Sequence, residues 1–162
     1  MARYAGRVIV NKVDKNGKKI KNLKQWLKSH PGELYFDSYP EWEVWDYLVE
    51  SDIDHTFHPK PLQLLSSITT AEFKKPRQTK KAKKEKRNKP EIKFVTQKGT
   101  EYTPDYYLPD YDVYIEVKGF ADERFKLIWK LFKLKGYKGF IVHSLEEFKE
   151  LYKQLGKWYT SK

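Results

Sequence analysis

The sequence predicts an α/β protein. Three observations carry this: helical apolar spacing at 39–51 and 122–135, strand-like runs of four to eight residues between these stretches, and a strand–cap–helix succession from Gly139 to the C-terminus. At 162 residues and 39% hydrophobic content, the chain suits one modest core. Residues 1–33 read as an accessory N-terminal hairpin and helix, and residues 34–162 as the main domain.

Residues 7–13 (RVIVNKV) alternate as a strand does. Asp14-Lys15-Asn16-Gly17 then makes a hairpin signal with a return over 18–20. Asn22 is placed to cap a short helix carrying Leu23, Trp26 and Leu27, which His30-Pro31-Gly32 ends. Ser38, with Glu41 three residues on and Pro40 in the first turn, is a capping-box start for a helix over 39–51. Its inward row reads Trp42, Trp45, Leu48 and Val49.

Residues 54–65 read as an extended edge segment, because Pro59 and Pro61 suit only a sheet edge or a bulge. His55, His58 and Lys60 sit there, and the two histidines are read as surface side chains, with a phosphate contact or protonation of a leaving group as the alternative. A strand over 68–73 follows. Residues 91–95 form another strand, 97–100 its turn, and 101–108 its return. The strand over 111–118 ends at Gly119. Asp122 caps a helix over 122–135 that turns Phe125, Ile128, Trp129 and Phe132 inward. Residues 139–143 read as a buried strand. Ser144 then caps a last helix with Glu146 and Glu147 in its first turn and Leu145, Phe148, Leu151 and Leu155 along one face.

The chemistry concentrates in YTPDYYLPDYDVYIEVKGF, residues 102–120. Side chains two apart on a strand share a face, so Glu116 and Lys118 project one way while Ile115 and Val117 point to the core. A hairpin turning at Pro109-Asp110 brings Asp105 beside Glu116. Two hard oxygen ligands with an ammonium nearby are what a Mg²⁺-dependent attack on a phosphodiester requires.

These residues resemble the PD-(D/E)xK nuclease superfamily, and more narrowly the phage endonuclease I type of Holliday-junction resolvase and its small phage relatives. Thr103-Pro104-Asp105, Leu108-Pro109 and Glu116-Val117-Lys118-Gly119 carry the resemblance, which extends weakly to Phe36-Asp37-Ser38 and Glu41. It implies a restriction-endonuclease-like core with a central mixed β-sheet flanked by helices. By resemblance, Glu41 is a third acidic group, so the catalytic set is Glu41, Asp105, Glu116 and Lys118. The metal set is Asp105, Glu116, the Val117 carbonyl and Glu41, with Mn²⁺ able to replace Mg²⁺. The family also implies a homodimer whose subunits exchange elements through a bridge that is shorter and less basic than the 74–90 run of this chain.

Residues 74–90, KKPRQTKKAKKEKRNKP, carry almost no apolar side chains and cannot build a core. With a net charge of +11 on the whole chain, they read as an inserted basic arm lying along phosphates. Its contacts would come from Lys74, Lys75, Arg77, Lys80, Lys81, Lys83, Lys84, Lys86 and Arg87. DNA is the expected partner. The sequence carries no cysteine, which excludes disulfides and thiolate metal sites. It shows neither a signal peptide nor a membrane span, which places the expected activity in the cytoplasm. The expected function is thus a Mg²⁺-dependent DNA endonuclease selective for branched DNA. A homing-type or nicking endonuclease, a non-catalytic nucleic-acid-binding module and RNA processing are the alternatives.

Overall fold

In the computed structural model, the described residues are 12–74, 91–119 and 121–160. They fall into two compact units. One comprises the described residues up to Lys60 together with those from Thr103 onward, and the other is Pro61–Tyr102. Between them the units hold ten strands and four helices among the described residues, a mixed α/β architecture. No helix there is long and apolar enough to cross a membrane.

The first unit begins with β1 (Val13–Asp14), α1 (Leu23–Ser29) and β2 (Tyr35–Phe36), the two strands pairing antiparallel. Asn22 caps α1 by accepting the Gln25 N–H. The Asp14 carboxylate accepts the N–H groups of Asn16 and Lys18, and Gly17 closes the turn at φ +72°. A Cβ at Gly17 would lie 2.8 Å from the Trp42 ring, whose indole N–H donates to the Lys15 carbonyl. The accessory residues from Lys12 on are therefore packed through this turn onto the helix that follows, while residues 7–11 of the expected first strand lie outside the described residues.

That helix, α2 (Tyr39–Glu50), starts at Ser38, whose hydroxyl accepts the Glu41 N–H. Its buried row is Glu41, Val44 and Leu48, one step around from the expected row. Trp42 is turned toward the Gly17 turn, and Val49, in the last turn, is half exposed.

After β3 (Thr56–Phe57) the chain enters the second unit. There β4 (Leu62–Leu65) pairs antiparallel with β7 (Thr100–Tyr102), and β5 (Ile68–Lys74) pairs with β6 (Glu91–Gln97) from Ile68↔Gln97 to Lys74↔Glu91. The expected hairpin between 91–95 and 101–108 does not form. Residues 91–97 pair instead with the strand preceding the basic run, and the supposed return strand is broken in two at Thr103-Pro104. At the β6–β7 turn, a Cβ on Gly99 would sit 2.2 Å from the Leu65 carbonyl, so only glycine fits that approach.

The chain returns to the first unit with β8 (Tyr106–Leu108), a single 3₁₀ turn (Pro109–Tyr111) and β9 (Val113–Val117). The 3₁₀ turn and the left-handed Asp112 (φ 49°) delay the second strand to Val113, two residues later than its alternation suggests. Next come α3 (Glu123–Leu134), β10 (Gly139–Val142) and α4 (Leu145–Thr160). The sheet order is β10-β9-β8-β3, with β10 parallel to β9 and the other pairs antiparallel, which makes the sheet mixed.

Val113, Ile115 and Val117 point into one core with Val44 and Leu48 of α2, Tyr106 and Leu108 of β8, Val142, and Phe148 and Leu155 of α4. Each such aliphatic side chain stabilises the fold by ~1.5–3 kcal/mol on burial. On the opposite sheet face, Phe132 of α3 meets Tyr114 edge-on at 5.7 Å. The strand expected to be buried at 139–143 is instead an edge strand, and its Phe140 is exposed while Val142 faces the core.

Candidate metal centre

Asp105 stands immediately before β8, opposite the end of β9. Its Oδ2 accepts the Val117 N–H at 2.7 Å, so the neighbouring strand's backbone fixes the acid's orientation. Tyr106↔Ile115 is the adjacent register pair, which places Asp105 and Glu116 on facing strands. Alternation sends Glu116 to the α3 side of the sheet with Lys118. Glu116 is 4% exposed, and its Oε1 accepts the Lys118 ammonium at 3.1 Å. The same ammonium lies 4.6 Å above the Phe125 ring. Lys118 is further held through its backbone. Its N–H donates to the Val142 carbonyl at 2.9 Å, and its own carbonyl is bonded to His143 Nδ1.

Glu41 enters from the first turn of α2, 2% exposed. Its Oε2 accepts the Asp37 N–H at 3.1 Å, one residue upstream of the bond a capping box would make. Oε1 is buried without a hydrogen-bond partner. A buried carboxylate oxygen left so is costly, and a cation beside it would offset that cost. The Tyr106 hydroxyl donates to the Glu41 carbonyl at 2.5 Å, joining the start of α2 to β8.

Beside Glu41 Oε1 stands a histidine that the sequence alone assigns to the surface. His58 Nε2 lies 3.5 Å from that oxygen and 3.9 Å from Asp105 Oδ1. Ligand atoms of Glu41, His58 and Asp105 all lie within 4.8 Å of one another. The imidazole is nonetheless 46% exposed, so His58 is at once a surface residue and a wall of the site. β3 pairs with β8, and the His58 N–H donates to the Asp105 carbonyl at 2.8 Å, which brings the histidine here.

The electrostatics follow from this crowding. Burial, then the Glu116 charge and then that of Glu41, push the Asp105 carboxyl well above the usual carboxylate range, against the opposing pull of the Val117 N–H and Lys118. Burial first, and then Glu41 and Asp105, also raise the Tyr106 phenol, which stays neutral as a donor. Glu41, His58 and Asp105 together form a group that could hold a metal ion.

Glu41, Asp105, Glu116 and Lys118 all lie in the first unit, around the start of β8 and the end of β9. Val117, whose carbonyl is the expected ligand, donates its backbone N–H to Asp105. His55 is bonded through Nδ1 to the Ile53 carbonyl. Of the basic arm, Lys74 ends β5, while Lys75, Arg77, Lys80, Lys81, Lys83, Lys84, Lys86 and Arg87 lie outside the described residues. Comparison with models of known protein families, with curated proteins and with solved structures finds no match to this chain.

Proposed function

We propose that this chain is a metal-dependent DNA endonuclease of the PD-(D/E)xK type with a restriction-endonuclease-like core. The observation that carries the reading is the buried, unpartnered Oε1 of Glu41 beside Asp105, with the Glu116–Lys118 pair on the facing strand.

Glu41 and Asp105, with Glu116, would hold Mg²⁺ or Mn²⁺. A cation bound there supplies Lewis acidity to the phosphoryl oxygens and makes a neighbouring water more acidic. The protein's own part is positioning. The Val117 N–H fixes the Asp105 carboxylate, and the Asp37 N–H fixes one oxygen of Glu41 and leaves the other open. Lys118 orients the attacking water through its N–H groups and steadies the charge gathering on the non-bridging oxygens. Water oxygen bonds to phosphorus and gives up a proton to solvent, the bond to one deoxyribose oxygen breaks, and that alkoxide takes a proton from solvent.

The chain's positive charge and its basic 74–90 run support an anionic polymer as substrate. Branched DNA is the favoured form, by the resemblance of the 102–119 segment to junction resolvases, and a homodimer would make paired cuts. The test incubates the protein with a four-way junction, linear duplex, single-stranded DNA and RNA, each with Mg²⁺ and with EDTA. Metal-dependent cleavage with the junction preferred is the expected result. Equal binding with EDTA and no cleavage of any substrate would leave a nucleic-acid-binding module instead.

A further inference from the structure

We propose that His58 is a direct nitrogen ligand of the metal centre, and that the centre is therefore built for a divalent first-row transition ion in preference to Mg²⁺. The inference rests on the proposed function, in which Glu41 and Asp105 hold the cation.

Placement is the first support. Around an ion with bonds of ~2.1 Å, ligand atoms stand ~3 Å apart when adjacent and ~4.2 Å when opposite. His58 Nε2 stands 3.5 Å from Glu41 Oε1 and 3.9 Å from Asp105 Oδ1, within that interval. Glu41 Oε1 is the oxygen without a hydrogen bond, and the nitrogen stands beside it.

His58 is also held there at a cost. Its φ is +45°, in the left-handed region that residues with a Cβ seldom enter. Its N–H is tied to the carbonyl of Asp105, the residue whose side chain is the neighbouring ligand. Its ring stacks on Phe57 at 3.9 Å and 22°. A strained backbone locked by the ligand residue itself is the mark of a preorganised site.

Chemistry selects the ion. Mg²⁺ takes oxygen ligands and gives up its waters reluctantly, whereas imidazole is a ligand of first-row transition ions such as Fe²⁺, Ni²⁺, Cu²⁺ and Zn²⁺. With His58 added to the carboxylates, the donors form a mixed oxygen–nitrogen set that favours such an ion over Mg²⁺.

The test uses the full chain with Mn²⁺ or Mg²⁺ as the probe and reads binding, not cleavage. Pulsed electron paramagnetic resonance of the Mn²⁺-loaded protein should show coupling to a ¹⁴N nucleus, absent in His58→Gly. Glycine adopts positive φ freely, so this variant keeps the backbone while deleting the imidazole. By calorimetry, the wild type should bind Mn²⁺ at least about tenfold more tightly than Mg²⁺, and His58→Gly should lose that preference while its Mg²⁺ affinity moves less than about threefold. Absence of ¹⁴N coupling in the wild type, or a preference for Mn²⁺ that survives in His58→Gly, overturns the proposal. A protein with the coupling that cuts no nucleic acid would uphold His58 and sink the nuclease reading. One that cuts with Mg²⁺ but lacks the coupling would do the reverse.

Discussion

The carboxylate of Asp105 accepts the backbone N–H of Val117 at 2.7 Å, so an acid at the head of one strand is steadied by the residue that lies between Glu116 and Lys118 on the next. The bond needs only an acceptor oxygen, whereas the proposed catalysis needs the charge. Replacing Asp105 by Asn keeps the first and removes the second. Cleavage by Asp105→Asn should fall at least ~100-fold, while DNA still shifts in a gel, because a negative charge has left a phosphate site. A variant that cuts at the wild-type rate would refute the assignment.

The raised Asp105 carboxyl fixes a pH dependence for the metal-free protein. Below the ordinary value of 3.8, folded and unfolded chains are both protonated and this group's contribution is complete. As pH rises from there, the unfolded chain releases its proton first, so the contribution is lost progressively until the folded carboxyl ionises too. Other groups add their own slopes, and the comparison with Asp105→Asn isolates this one. Urea midpoints in EDTA should fall more steeply with pH in the wild type than in the variant. Added Mn²⁺ should raise the wild-type midpoint most at the alkaline end. Parallel pH curves for the two proteins would show that Asp105 is not the strained acid.

Tyr106 joins the sheet to the start of α2 through its hydroxyl and the Glu41 carbonyl. Tyr106→Phe deletes the donor and little else. Chemical denaturation should show a loss of ~1 kcal/mol. Because the bond sets where Glu41 enters the site, divalent-ion affinity measured by calorimetry should weaken as well. Lost stability with unchanged affinity would mean that the helix holds Glu41 in place without the tyrosine.

Deleting residues 76–88 removes Arg77, Lys80, Lys81, Lys83, Lys84, Lys86 and Arg87. Affinity for every DNA should drop together. The slope of log affinity against log salt should flatten by about 0.9 for each duplex phosphate that the arm no longer neutralises. Unchanged binding with slower cleavage would place the arm in the chemistry instead.

Elements whose signals are local were legible in the sequence. Asn22, Ser38 and Asp122 each accept an N–H three residues on, as their positions predict. The sorting of Glu116 and Lys118 from Ile115 and Val117 follows from strand alternation alone. What depends on long-range pairing was not legible. Nothing in the composition of 91–97 says that it pairs across the basic run rather than with the next strand. His58 reaches the acids through a two-residue edge strand and a left-handed backbone angle that its residue type alone does not announce. Glu41 was identified by resemblance, but that one oxygen caps Asp37 while the other stays open is a matter of side-chain geometry.

The connection from β8 to β9 is a 3₁₀ turn closed by Asp112 in a left-handed conformation. Strand periodicity makes that link a ruler. Lengthening or shortening it by a single amino acid, if the strand kept its hydrogen bonds by sliding, would rotate Glu116 and Lys118 to the face now filled by Ile115 and Val117. The greasy pair would then meet water and the charged pair would meet the core. Insertion scanning should accordingly find 109–112 far less forgiving than a bend at the surface ordinarily is.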